Sequence, residues 1–390
     1  MIVIWLIAFV LAAHAFAHLP GFVVPWQLMT SPDMPYKTTV LAGHLNVGDT
    51  GIRIVGLLWL AVAALVAAAA VSWAMRSPSA ASLTMLAALV SLATCLVEMP
   101  EAWIGVAVNV ALLLATPLLG GTAWQYTTDR TVQAMVLARV PVPAATRPHE
   151  IGATLPAPVA RYFAHVLPPG HPRIRSAELM QQAEFFVGGG WKPLRASQHF
   201  VTEPPGFVWN ARITMAAGLP VFVRDSYIEG AGTMHGEFAG VFPIVNQRGD
   251  PRLDAGALHR YVAESVWLPT ALLPGPHLSW TAIDDDHALA TFTDAHTTVS
   301  LRFRFTREGD VAEIHVSDRA REDHGAYIPT PWTVRCEEYG VFSGMRIPVR
   351  CSVQWEMPDG PLPYWRGTIT SARYAYAEPD GRQAVVRPVD

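Results

Sequence analysis

"TVSLRFRF", Thr298–Phe305, alternates without a break. Val299, Leu301, Phe303 and Phe305 fall on one side, and Ser300, Arg302 and Arg304 on the other. A period of two marks a strand with one buried face, because successive side chains leave a pleated chain in opposite directions. "FVWNARI" repeats the pattern with Phe207, Trp209, Ala211 and Ile213, and "VRCSVQW" with Val349, Cys351, Val353 and Trp355. Turn signals separate such runs: "VGGGW", "EPPG", "REGD" and "FSGM". From Ile174 onward the pattern gives roughly ten strands and one long interior helix, Ala255 to Trp267. The expected fold is a mostly antiparallel, curved, half-barrel-like sheet with a covering helix, an α+β arrangement.

That helix ends oddly. In "RYVAESVWLPTALLPG", Arg260–Gly275, helical spacing runs into Trp267-Leu268-Pro269 and then Leu272-Leu273-Pro274, and proline ends a helix. A curved sheet whose inner face carries Trp209, Phe303, Phe305 and Trp355 is too apolar to leave wet. The helix and its bulky end are therefore expected to cover that face, sealing either a dry core or a cavity.

One hairpin can be read residue by residue. A two-residue primed turn at Ser343-Gly344 sets Cys336 opposite Cys351, Glu337 opposite Arg350 and Trp332 opposite Trp355. A longer loop through "EYGVFSG" slips the register and breaks all three pairings.

The first half has another composition. Residues 1–128 hold only Lys37, Arg53, Arg76, Asp33, Asp49, Glu98 and Glu101 as charges, amid Ala, Leu and Val. Four apolar runs, Ile2–Ala17, Ile54–Ala74, Leu83–Val97 and Trp103–Leu119, are expected to be membrane helices, the last two joined by "EMPE". The competing reading makes the first a signal peptide cut after "AFA" at Ala15–Ala17, although no Lys or Arg precedes it. Arg76, Arg130 and Arg139 on one side outnumber Lys37 and Arg53 on the other, which favours a cytoplasmic C-terminal domain. The expected organisation is a four-helix region over 1–120, a proline-rich stalk over 121–154, a β-rich domain over 155–380 that opens with a short helix in "APVARYFAHVL", and a tail over 381–390.

The net charge of −4 gives no electrostatic reason to expect nucleic acid. Three cysteines without CxxC spacing make neither a disulfide scaffold nor a zinc site, and no cofactor motif is present. His14 and His18 share a helix face, either as half of a haem or copper site or as interfacial histidines, and Asn109 is expected to bond a neighbouring helix. "DDDH", Asp284–His287, reads as a solvated turn, because adjacent acids on an extended chain point in alternate directions. "GAGTMHG", Gly230–Gly236, reads as a bulge or turn.

The candidate site is therefore assembled from aromatics and two buried-looking charges. Trp209, Tyr261, Trp267, Trp280, Phe303 and Trp355 either line an acyl-chain pocket or fill a core. Arg224 and Glu264, set in apolar runs, need partners if buried: either they pair with each other at a cavity mouth, or they form no more than a surface ion pair. Arg260 also stands one turn before Glu264, in the less favourable helix order. The leading expectation is a binder of a membrane lipid or other hydrophobic small molecule. The alternatives are an enzyme acting on such a molecule through Glu264 and Arg224, and a partner-binding module with a dry core.

"LPAPVARYFAHVL", "WKPLRASQHFVTEPPGFVWNARI", "VRDSYIEGAGTM", "LHRYVAESVWLPTALLPG" and "GMRIPVRCSVQW" together resemble a bacterial domain-of-unknown-function family numbered 6544, over about residues 155–377. More loosely, the strand-rich pattern with a covering helix is similar to the half-barrels of lipoprotein carriers. The resemblance implies a bacterial protein, placed by its apolar helices in the inner membrane, and brings no chemistry with it.

Overall fold

Ala and Leu are strong helix formers, and the first half of the chain obeys them. The computed structural model describes residues 2–30, 34–138, 155–215 and 218–376. They group into two units, Met1–Thr127 with Glu237–Pro243, and Thr128–Gly236 with Ile244–Asp390.

In the first unit, α1 spans Ile2–Ala17 and α2 Pro20–Val23; a two-strand ribbon follows, β1 Thr39–Val40 and β2 Leu45–Asn46. Then come α3 Gly48–Ala74, α4 Ala80–Val97 and α5 Trp103–Leu137. Four helical stretches, Ile2–Val23, Gly48–Ala74, Ala80–Val97 and Trp103–Leu137, are long and apolar enough to cross a membrane. The fourth does not stop at Leu119. Gly120 and Gly121 are weak breakers inside a helix, and no proline follows before Leu137, so the first part of the expected stalk is helical. Residues 139–154 and the tail 381–390 lie outside the described residues.

Polar side chains tie these helices together. His14 Nε2 lies 3.2 Å from Asn109 Oδ1, and His18 Nε2 lies 2.7 Å from Ser91 Oγ. Asn109 Nδ2 donates to Ser91 Oγ at 2.7 Å. Asn109 thus bonds a neighbouring helix, and the two histidines are buried among the helices. Among the described residues no group of three or more His, Cys, Asp or Glu is placed to hold a metal ion. Lys37 joins both acids of the "EMPE" loop, 3.3 Å from Glu98 and 2.9 Å from Glu101.

After α5, whose last residues from Thr128 already belong to the second unit, come α6 Ala157–Val166 and six strands: β3 Ile174–Val187, β4 Gly190–Thr202, β5 Pro205–Thr214, β6 Pro220–Ile228, β7 Ala231–Phe238 and β8 Phe242–Arg248. The helix α7, Pro251–Glu264, follows, with short 3-10 turns at Ser265–Trp267 and Pro269–Leu272. Seven more strands complete it: β9 Leu278–Ala282, β10 His287–Asp294, β11 Thr297–Phe305, β12 Val311–Asp323, β13 Ala326–Phe342, β14 Met345–Met357 and β15 Gly360–Tyr376. They form one 13-stranded sheet in the order β8-β7-β6-β5-β4-β3-β15-β14-β13-β12-β11-β10-β9, a curled half-barrel. The sequence pattern had merged several of these into about ten.

The order explains the helix. Two meanders join at the centre through β15 and β3, which leaves β8 and β9 at opposite edges. The connection between those edges has to cross the sheet, and α7 is that connection. It starts four residues earlier than the apolar spacing suggests. Asp250 caps it, its Oδ1 accepting from the Arg252 N–H at 2.8 Å, and Pro251 fills the first turn, where no N–H is missed. At Gly232 the sheet meets the helix closely. A Cβ there would stand 2.7 Å from the Leu253 carbonyl oxygen, and the Gly232 N–H donates to Asp254 Oδ1 at 2.7 Å.

The hairpin takes the tight turn. Phe342 pairs with Met345 around Ser343 and Gly344, whose φ values of 49° and 80° fit a primed turn. Cys336 faces Cys351 and Trp332 faces Trp355. The third pairing differs: a bulge after Cys336 puts Glu338 opposite Arg350, 2.8 Å away, while Glu337 accepts from Ser352 Oγ at 2.8 Å. "DDDH" is a turn held by Asp284, whose Oδ1 accepts the N–H groups of Asp286 and His287 at 2.9 and 2.8 Å.

Candidate functional site

One side of α7 packs dry. Tyr261 and Leu258 are fully buried, and Tyr261 lies against Phe200 and Phe292 with ring centroids 6.4 and 5.8 Å apart. The other side faces a cavity of about 750 Å³, within the usual range for small-molecule sites. Its wall is mainly aromatic and aliphatic. Trp332, Trp355 and Trp365 come from the β13–β15 side, Trp209 and Val223 from the β5–β6 side, and Trp267 from the end of the helix. The Trp-Leu-Pro end is pinned at both ends of its tryptophan: Trp267 donates its indole N–H to the Pro348 carbonyl at 3.0 Å, and its own carbonyl accepts from Tyr374 Oη at 2.9 Å.

A closed polar cluster sits in this wall. Arg260 donates to Asp225 Oδ2 and Glu264 Oε1, both at 2.7 Å. Gln198 donates to Glu264 Oε2 at 2.6 Å, Gln181 to Gln198 Oε1 at 2.8 Å, and Trp209 Nε1 to Gln181 Oε1 at 2.9 Å. The Arg260 guanidinium also lies 4.7 Å from the Trp209 ring centroid. Burial raises the Glu264 pKa above the ordinary carboxylate range, with the Arg260 charge and the Gln198 hydrogen bond pulling the other way. Burial disfavours the Arg260 charge, but Glu264 and Asp225 outweigh it and hold the guanidinium protonated. Both oxygens of Glu264 are taken, so the cluster as it stands is a fixed polar wall.

Arg319 and Arg321, on β12, also line the cavity. Arg321 Nη2 pairs with Asp323 at 3.0 Å. Arg319 lies 4.6 Å from the Trp332 ring centroid and 5.2 Å from that of Trp355, and donates one N–H to the Gly256 carbonyl at 3.0 Å.

Of the eight residues expected to form the site, Trp209, Glu264, Trp267 and Trp355 line this cavity. Tyr261 is on the other side of α7, buried against Phe200 and Phe292, where it lines a small pocket of about 70 Å³. Trp280 and Phe303 meet edge to face with ring centroids 5.0 Å apart, and neither is in the cavity wall. Arg224 does not pair with Glu264. It is the neighbour of Asp225 on an alternating strand, so it takes the opposite face, where it donates to Thr128 Oγ1 at 3.0 Å. The cation that holds Glu264 is Arg260, one turn back on the same helix. Arg-before-Glu is the weaker order on an exposed helix, but here Asp225 from β6 fixes the guanidinium from the far side. The sequence reading also missed Gln181 and Gln198, whose polarity on buried β3 and β4 positions is a signal of a partner inside.

Residues 153–374 match the family of unknown function DUF6920, and the chain belongs to that family. The blocks that suggested family 6544 fall in this same region, so the number is corrected and the extent stands. No curated protein matches the chain. Among solved structures, a DUF1329 family protein from Desulfovibrio piger is 10% identical, with 57% of this chain and 94% of that chain covered and a TM-score of 0.31. A putative outer membrane lipoprotein-sorting protein domain from Vibrio parahaemolyticus is 10% identical, with coverages of 51% and 85% and a TM-score of 0.30. A LolA superfamily protein from Nitrosomonas europaea is 11% identical, with coverages of 56% and 94% and a TM-score of 0.29. Scores this low assign no function.

Proposed function

We propose that this DUF6920 protein is a membrane-anchored binding protein whose half-barrel holds one apolar or amphipathic, lipid-like molecule. The observation that carries the reading is the cavity: about 750 Å³ of space remains on the α7 side of the sheet, walled mainly by tryptophans and aliphatic side chains. A protein interior is ordinarily close-packed, and an apolar void of this size forfeits contacts that an occupant would restore. Anchoring rests on the four apolar helices, whose outward side chains, such as Trp5, Phe9, Phe16 and Leu118, are exposed.

Native mass spectrometry of the full-length protein, followed by solvent extraction, tests this. The expected result is an apolar metabolite in about equimolar amount. Cavity filling adds a control: Ala263→Phe is expected to lower the bound fraction while the protein still folds. A bare wild-type protein, or an Ala263→Phe variant as fully loaded as wild type, would defeat the reading.

The enzymatic alternative has one observation in its favour, a buried carboxylate with a raised pKa in a cavity wall. It predicts that Glu264→Gln abolishes turnover of the extracted molecule, and unchanged turnover removes it.

A further inference from the structure

Charges in the cavity wall are nearly all accounted for. Asp225, Arg260 and Glu264 close on one another, and Arg321 has Asp323. Glu322, which is exposed, accepts from the Gly325 N–H at 2.9 Å. Arg319 is the exception. Among the described residues it is the one cation of the wall with no carboxylate within ion-pair distance; its Nε, like that of Arg321, is buried without a hydrogen-bond partner. Its guanidinium plane is held by Trp332 and Trp355, and one N–H is spent on the Gly256 carbonyl. Arg319 is half-buried; a cation against an apolar wall without a counter-ion is costly, and an N–H left unsatisfied there adds to the cost.

We infer that the ligand is an amphiphile with a single anionic group, of the long-chain carboxylate type, and that Arg319 pairs with that group while the tryptophan wall takes the apolar body. This rests on the binding reading above and adds the charge of the occupant. Arginine suits the task because it keeps its charge when desolvated and offers N–H donors that match a carboxylate or phosphate oxygen. A cationic ligand would meet Arg319 in repulsion, and a neutral one would leave its charge without a counter-ion. The Asp225–Arg260–Glu264 cluster sets two carboxylates on one guanidinium that is already hydrogen-bonded to both, so it repels a second anion and leaves Arg319 to meet the ligand's charge.

The test uses the full-length protein in phosphatidylcholine nanodiscs, with empty discs subtracted. Binding of 11-(dansylamino)undecanoate is compared with that of its methyl ester, which differs only in lacking the charge. Wild type is expected to bind the acid about tenfold or more tightly than the ester, the range for a charge-assisted hydrogen bond. Arg319→Gln is expected to bring that ratio near one. Arg319→Lys, which keeps the charge and loses the fork, should keep part of the preference and guards against a folding defect in the first variant. Acetate, the anion without the chain, is expected to displace nothing. Equal binding of acid and ester by wild type, or an intact preference in Arg319→Gln, overturns the assignment of the anion and leaves the cavity reading standing. Displacement by acetate alone overturns the amphiphile. Binding of neither probe overturns the cavity reading and this inference together.

Discussion

Replacing Arg260 by methionine isolates the polar cluster. Arg260, Asp225 and Glu264 have side chains only 17%, 9% and 16% exposed, and both contacts are 2.7 Å. Removing the cation leaves two acids facing each other in an apolar wall, and losing one partner of a buried pair costs about 3–5 kcal/mol. Water can enter an empty cavity and soften this, so the lower end, about 3 kcal/mol, is the expected value. For a unit of this size that is a fall in Tm of roughly 6–12 °C at pH 7, read by near-UV circular dichroism of the full-length chain. Acid should narrow the gap, because protonating Glu264, whose pKa already lies above the usual range, removes one of the opposed charges. The triple variant Arg260→Met, Asp225→Asn, Glu264→Gln should recover most of the loss, since neutral groups leave no uncompensated charge. An Arg260→Met protein within about 1 kcal/mol of wild type, or a triple variant no more stable than the single, would refute the account of this cluster.

Three further outcomes are expected. Burial, and then the nearby Arg319 charge, press the His259 pKa from 6.5 down to about 4. Its folded value is depressed, so stability is full above the unfolded pKa and is lost as pH falls from 6.5 towards 4. The loss is on the order of 3 kcal/mol by linkage, and should flatten in His259→Gln when unfolding is followed against pH. Cys336 and Cys351 face each other with sulfurs 3.9 Å apart, and the Cys351 pKa is raised well above its ordinary value by the Cys336 contact and by burial. Native protein should therefore alkylate slowly at Cys351 with iodoacetamide at pH 8, and labelling as fast as in denaturant would contradict it. The arginine balance expects the C-terminal domain in the cytoplasm, so a C-terminal green fluorescent protein fusion should fluoresce and an alkaline phosphatase fusion should be inactive. The reverse pattern would place the domain outside.

Much of the fold is local and was legible without coordinates. Alternation in "TVSLRFRF" fixes which side of a strand is buried, because the pleat has a period of two. Ser343-Gly344 fixes the register of its hairpin out to Trp332 and Trp355, because a primed turn leaves no slack. A charge-poor first half rich in Ala and Leu is mainly helical, because a long apolar run satisfies its backbone groups best within a helix. The limits of local reading are also physical. A bulge after Cys336 moved Arg350 from Glu337 to Glu338, and nothing in four residues of sequence announces a bulge. Periodicity told that Trp209, Phe303 and Trp355 share a face, but only the strand order, with α7 strung between the two sheet edges, decided which side of the helix each would meet. Phe303 went to the dry core, and Trp209 and Trp355 went to the cavity. In the same way, Arg224 and Asp225 are neighbours in sequence and opposites in space. Helix spacing puts Arg260 one turn before Glu264, but what fixes its guanidinium there is Asp225 of β6, a contact across 35 residues that no spacing rule contains.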